Sequence, residues 1–235
     1  RQNFASCAVL TSVTEASAAR APELEKLRLE LLNERVTLFN FPLENEYQLL
    51  LRVVGPFLGY LAVEAAAGAS HNAGVDFGAL ATRAELTAKR VFTELWENVA
   101  APQPFQLLAS YPLCEVGENL AFKVMEGLFL SAPPIWDVLH FAHGPLQQLA
   151  AVPQPVIYCK QAAEDPRLVS SVRQALKDLK LKLIEIDCAV SGPGAMLELE
   201  QIFNYLVLQG MQRFSINQRD WPGKGLDSSL YEIGS

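Results

Sequence analysis

Proton-transfer chemistry in this chain would fall first to Glu126 and His143. Glu126 lies in Lys123-Val124-Met125-Glu126-Gly127, whose apolar neighbours favour a buried, working carboxylate over an exposed helical one. His143 precedes Gly144-Pro145, and a histidine both donates and accepts protons near neutral pH without help from its surroundings. A histidine in that position equally serves to cap a turn. Asp137 and His140 stand close to His143, but a metal centre needs further ligands, and the remaining histidine, His71, belongs to a distant loop. No metal is therefore expected. The hydroxyl-rich run Thr11-Ser12-Val13-Thr14-Glu15-Ala16-Ser17 is the next group of interest. Hydroxyls and backbone N–H groups at a helix start can hold a phosphate dianion, and the same residues make an ordinary helix N-cap.

These side chains need a frame. Short apolar runs at Ala5–Leu10, Arg35–Phe41, Phe105–Ala109, Pro155–Cys159 and Leu181–Ile186 predict buried strands. Helices are expected after Pro22, over Tyr47–Ala67 with a kink at Gly55-Pro56, and over Leu80–Val99, Glu118–Leu130 and Ala195–Phe214. A further helix opens at Asp165-Pro166 and runs to Leu179, because Asp is a good N-cap and Pro suits the first turn. Pro133-Pro134 breaks the chain before an extended piece, Ile135–Phe141, and Asn217–Ser235 is a polar tail. Strands alternating with helices predict a parallel sheet covered by helices on both faces, an α/β sandwich of three layers. Ligands in such sheets bind beyond the carboxyl ends of the strands, so the loops after Leu10, Ala109, Cys159 and Ile186 matter most. Ala101-Pro102-Gln103-Pro104 is the best linker candidate, dividing the chain into 1–102 and 103–235.

Composition narrows the function classes. Of 235 residues, 50% are hydrophobic and 19% charged, the balance of a chain with a well-filled core. A net charge of −7 without a basic stripe argues against nucleic acid as the partner. No apolar run reaches the ~18 residues of a membrane span. Cys7, Cys114, Cys159 and Cys188 form no CxxC pair and read as reduced core thiols of a cytoplasmic protein.

The run Ser110-Tyr111-Pro112, then Glu118 to Glu126, then Asp137-Val138-Leu139-His140-Phe141-Ala142-His143-Gly144-Pro145-Leu146 resembles the sugar isomerase (SIS) domain family. It is most similar to the isomerase part of the glucosamine-6-phosphate synthases, with a related order in the bifunctional phosphoglucose/phosphomannose isomerases. The resemblance covers about residues 105 to 225. It implies a flavodoxin-like or Rossmann-like SIS fold, with a first SIS-like unit that is shortened or diverged. It implies a sugar-phosphate ligand, no cofactor and a homodimer.

The residue roles below follow from that resemblance alone. The glutamate matching Glu126 is the base that moves a proton between C1 and C2 in aldose–ketose isomerisation. The histidine matching His143 is linked to ring opening and often reaches a neighbouring subunit's site. Asn217 to Leu226 is similar to a tail that closes over the site, which makes Lys224 and Arg219 candidates; in the synthases a tail lysine forms a Schiff base, but the spacing to Pro222 differs here. Ser110 is a further substrate-binding candidate. The phosphate would fall to Thr11, Ser12 and Thr14, although the family's Ser-x-Ser-Gly-Glu-Thr-like loop has a glycine that this run lacks. The preceding strand with its own Ser/Thr loop is absent or lies upstream of Arg1. Two readings stand open: a sugar-phosphate isomerase, aminotransferase-related or not, and a sensor that binds a sugar phosphate without turning it over. A structural subunit without a ligand is the third.

Overall fold

The computed structural model describes residues 7–11, 26, 36–40, 50–53, 56–57, 59–60 and 76–226. The chain forms two compact units, one of residues 1–48 with 52–74 and one of 49–51 with 75–235. The second unit thus takes in the helix that precedes Ala101–Pro104. In the first unit, β1 (Cys7–Thr11) pairs in parallel with β2 (Val36–Asn40), from Cys7 opposite Val36 to Thr11 opposite Asn40. Thr11 therefore ends β1 at the carboxyl edge of that pair, where a parallel sheet offers its ligand loops. Ser12 and Thr14 lie outside the described residues. The helix expected from Tyr47 is not yet helical at 50–53; helical residues occur at Pro56, Phe57, Gly59 and Tyr60. The Phe57 N–H donates to the Val53 carbonyl (3.4 Å), and residues 54–55, with the kink expected at Gly55-Pro56, lie outside the described residues.

The second unit is an all-parallel sheet of β3 (Gln106–Ala109), β4 (Ile135–Asp137), β5 (Val156–Lys160) and β6 (Leu183–Asp187), in the order β4-β3-β5-β6. β3 and β5 are the inner strands and are buried at every position. The edge strand β6 keeps Ile184 and Ile186 buried and exposes Asp187, as a strand covered on one side should. The helices are α1 (Phe77–Trp96), α2 (Leu113–Leu128), α3 (Val138–Phe141), α4 (Pro145–Ala151), α5 (Pro166–Asp178) and α6 (Pro193–Arg213). Leu108, Val156 and Tyr158 pack on one face of the sheet against Val138 and Phe141 of α3, Leu149 of α4, and Val169, Val172 and Leu176 of α5. On the other face α1, α2 and α6 pack together over β3, β4 and β6. The result is the three-layer α/β sandwich that the alternating pattern predicts.

Local chemistry explains the element ends. Asp76 accepts hydrogen bonds from the N–H groups of Gly78 (2.9 Å) and Ala79 (3.0 Å), so α1 begins at Phe77 rather than Leu80. Its buried stripe is Leu80, Ala84, Ala88, Val91 and Leu95, a helical repeat. Asp165 caps α5 through the N–H of Arg167, with Pro166 in the first turn. α2 starts at Leu113, five residues before the expected Glu118, because its first turn follows directly on Pro112. The extended piece Ile135–Phe141 is corrected as well: only Ile135–Asp137 is strand, since the Asp137 carboxylate accepts from the N–H of Leu139 and turns the chain into α3.

α2 and α6 approach closely because glycines line their contact. A Cβ on Gly127 would stand 2.1 Å from Cγ1 of Val207, a side chain that is itself fully buried. Gly127→Ala is expected to destabilise the unit by about 1–3 kcal/mol through overpacking, despite the ~1 kcal/mol that alanine gains in a helix. Urea unfolding of the variant checks this, and a midpoint at or above that of the parent would refute the packing argument.

Candidate functional site

The expected site residues fall at two ends of the second unit. α2 leaves the carboxyl end of β3 and runs back toward the amino ends of the strands. At ~1.5 Å per residue, Glu126 in its last turn stands about 20 Å along the helix from Leu113. His143 lies beyond the carboxyl end of β4, in the exposed turn between α3 and α4, where its N–H donates to the His140 carbonyl (3.0 Å). Within one chain the topology therefore sets Glu126 and His143 at opposite ends of the sheet. Ser110, directly after β3, is at the His143 end.

The tail comes to the Glu126 end. α6 starts beyond the carboxyl end of β6 and finishes at Arg213 beside the amino ends, where Phe214 packs against Phe92 (6.5 Å) and Trp96 (6.4 Å). Four residues on, the buried Gln218 donates through Nε2 to the carbonyls of Glu126 (2.9 Å) and Gly127 (3.2 Å). Its Oε1 accepts from the Leu51 N–H (3.0 Å). The carbonyls of a last helical turn have no partner within the helix, so Gln218 supplies what the end of α2 requires. It also anchors the tail, at the residue before Arg219, to the turn that carries Glu126. Lys224 folds back on its own segment, its Nζ 4.7 Å from the Trp221 ring centroid and bonded to the Arg219 carbonyl. Both Arg219 and Lys224 are exposed.

Gln218 had no signal in the sequence, being one amide within Asn217-Gln218-Arg219. Its replacement by Ala would strand two carbonyls and an N–H. A loss of about 1–3 kcal/mol is expected, with faster proteolytic cleavage of the tail. Limited proteolysis beside a urea melt separates the two effects; an unchanged cleavage rate would show that something else holds the tail.

Behind Glu126, a buried ion pair joins α2 to α6. Lys123 Nζ is 2.8 Å from Oε1 of Glu200, and Asn119 Nδ2 donates to Oε2 (2.9 Å). Lys123 is 2% exposed and Glu200 0%. Burial pushes the Glu200 carboxyl above its usual range, and Lys123 and Asn119 only partly offset this. A hint was legible: Lys123 shares the helical stripe of Val116, Leu120 and Gly127, a charge where the pattern calls for an apolar residue. Nearby, the buried Glu198 binds Arg83 of α1 (2.7 Å) and the Ala189 N–H (2.6 Å), tying α1 to the loop after β6.

At the opposite end, Ser110 Oγ donates to Glu164 Oε1 (2.7 Å), linking the loops after β3 and β5. Lys160 pairs with Glu185 (2.7 Å) and Asp187 (2.8 Å), and Arg173 with Glu185 (3.0 Å). Burial would raise the Glu185 carboxyl, but Arg173 and Lys160 outweigh it and hold it below its usual value. Cys159 and Cys188 are buried free thiols whose pKa burial raises, Cys159 to about 12, so neither is poised as a nucleophile. Among the described residues no group of three or more His, Cys, Asp or Glu is arranged to hold a metal. Nor, among them, is any helix long and apolar enough to cross a membrane.

No protein-family model matches the chain, and no curated protein sequence matches it. Among solved structures, the chain is similar to a protein of Silicibacter pomeroyi DSS-3 assigned as a phosphosugar isomerase, with 17% identity and a TM-score of 0.46. That match covers 71% of this chain and 48% of the other, so this chain spans about half the length of its neighbour.

Proposed function

We propose that this chain binds a sugar phosphate as a SIS-type protein and interconverts its aldose and ketose forms. The observation that carries the reading is the Gln218 clamp, which anchors the residue just before Arg219 on the helical turn of Glu126. A carboxylate and two exposed cations at one end suit an anionic sugar whose C1 and C2 must exchange a proton. Glu126 is the base: it takes the C2 proton of the open-chain aldose and returns it to C1, while the O2 proton passes to O1 by way of the enediol. Arg219 and Lys224 close over the ligand and balance its charge. His143 and Ser110 act on the sugar, and Thr11, Ser12 and Thr14 are the first unit's own candidates for a phosphate. Because Glu126 and His143 stand at opposite ends of one chain, a site using both is built from two copies, each lending His143 to the other.

The second reading, a sensor without turnover, is favoured by one feature. The Thr11–Ser17 run has no glycine and places Val13 and Ala16 among its hydroxyls, a poorer phosphate cradle than the family pattern. A thermal-shift series with fructose 6-phosphate, glucose 6-phosphate and glucosamine 6-phosphate tests both. Ligand at about 100 times its Kd stabilises the fold by ~2.7 kcal/mol, a readable rise in Tm. No shift with any of the three would overturn both readings. A shift without turnover, unaltered by Glu126→Gln, would leave the sensor standing.

A further inference from the structure

β6 is an edge of the four-stranded sheet, with no strand beyond it among the described residues. The Val156 N–H donates to the Lys182 carbonyl (2.9 Å) and the Cys188 N–H to the Lys160 carbonyl (2.8 Å), so Lys182 and Cys188 turn their backbone groups toward β5. Backbone groups alternate sides along a strand, and those of Leu183, Glu185 and Asp187 therefore point outward. Outward groups of this kind are a template for a strand of another chain.

Two arginines of α1 occupy that template. Arg90 Nη2 donates to the Glu185 carbonyl (2.5 Å) and Arg83 Nη2 to the Asp187 carbonyl. In the other direction, Lys182 Nζ donates to the Glu94 carbonyl. The three contacts join 83 to 187, 90 to 185 and 94 to 182, so α1 runs antiparallel to β6. Their spacing matches: Arg83 to Glu94 rises about 16 Å in a helix, and Lys182 to Asp187 about 16 Å in a strand. Arg83 and Arg90 are seven residues apart, two helical turns, and so share one face of α1. Each already has a carboxylate: Glu198 for Arg83 (2.7 Å) and Glu94 for Arg90 (2.7 Å). The same use of the second guanidinium arm, on successive outward carbonyls, makes α1 a substitute for a fifth strand.

We propose that Arg83 and Arg90 guard the β6 edge and keep a second copy of this chain from adding a strand there. A bare β6 is self-complementary, since two copies related by a two-fold axis can pair β6 with β6 in antiparallel fashion through main-chain bonds. The guard stands whether or not Glu126 works on a sugar phosphate, and any assembly that the parent chain makes uses another surface.

Arg83→Lys combined with Arg90→Ala opens the edge. Lysine keeps a cation for the buried Glu198 but has no second arm for the Asp187 carbonyl. Sedimentation of the full chain up to on the order of 100 μM should give the parent a constant mass and the double variant one that rises about twofold or more. Hydrogen exchange then locates the contact. The amides of Leu183, Glu185 and Asp187 in the double variant should exchange about tenfold more slowly when concentrated than when dilute. A folded double variant of constant mass would overturn the proposal, as would association without slower exchange at those amides. Should the double variant not fold, Arg90→Ala alone decides by the same two measurements. Its lost ion pair with Glu94 is a half-exposed one between neighbouring turns, worth little to folding.

Discussion

Glu126→Gln is expected to lower isomerase turnover by about two to four orders of magnitude while leaving the fold intact. The amide matches the carboxylate in size and cannot take a proton, so substrate binding should change far less than the chemical step. Gln218 grips the backbone carbonyl of Glu126, not its side chain, and the tail therefore stays in place in the variant. His143→Ala should be impaired as well, because the proposed site takes its histidine from the other copy. The informative experiment mixes the two. If each site takes Glu126 from one copy and His143 from the other, a random mixture of the two inactive chains regains roughly a quarter of parent activity. Half its dimers are then mixed, and each of those keeps one intact site. No recovery on mixing, with both variants dimeric, would place the two residues in separate functions. Progress curves with fructose 6-phosphate and with glucose 6-phosphate, before and after subunit exchange, provide the measurement.

Lys123→Met should cost about 3–5 kcal/mol, because it leaves the Glu200 carboxylate buried without its cation. Against the 5–15 kcal/mol of a typical domain this is a large share. The sign of its pH dependence follows from the raised Glu200 pKa. A carboxyl that titrates higher in the folded state than in the unfolded chain stabilises the fold in its protonated form. That stability is fully present below the ordinary value of 4.5 and is lost as pH rises through the folded pKa. Removing Lys123 raises that pKa further, so the variant should be weakest near neutrality and recover on acidification. Lys123→Met combined with Glu200→Leu replaces both charges by apolar groups and should return to parent stability or above it. Urea unfolding at several pH values checks all three chains. A single variant with parental stability at neutral pH would mean that the pair contributes nothing, and the position of α2 would then rest on its glycine contacts alone.

Much of the frame was legible because it rests on neighbours in the chain. The apolar runs that become β3, β5 and β6, the Asp165-Pro166 start of α5 and the α/β alternation follow from local rules of capping and periodicity. Reading failed by a few residues where one side chain changed the local geometry, as Asp76 and Asp137 did in capping α1 and α3. The candidate residues themselves were found by type and by resemblance, and the sequence could rank Glu126 and His143 without saying where either stands.

That placement is a property of the tertiary structure. α2 runs back along the sheet, and this separates Glu126 from His143 although both belong to one short stretch of chain. Gln218 meets the end of α2 from 92 residues away. Lys123 meets Glu200, and Ser110 meets Glu164 with Tyr158 nearby, only because α2 and α6 share one face of the sheet and β3 adjoins β5. Periodicity reports which face of an element is apolar; it carries no record of which distant polar group will answer another. For Glu126 and its surroundings, the sequence determined the chemical groups on offer and the helix that bears one of them. The order of the strands and the path of the tail decided which of those groups share an end.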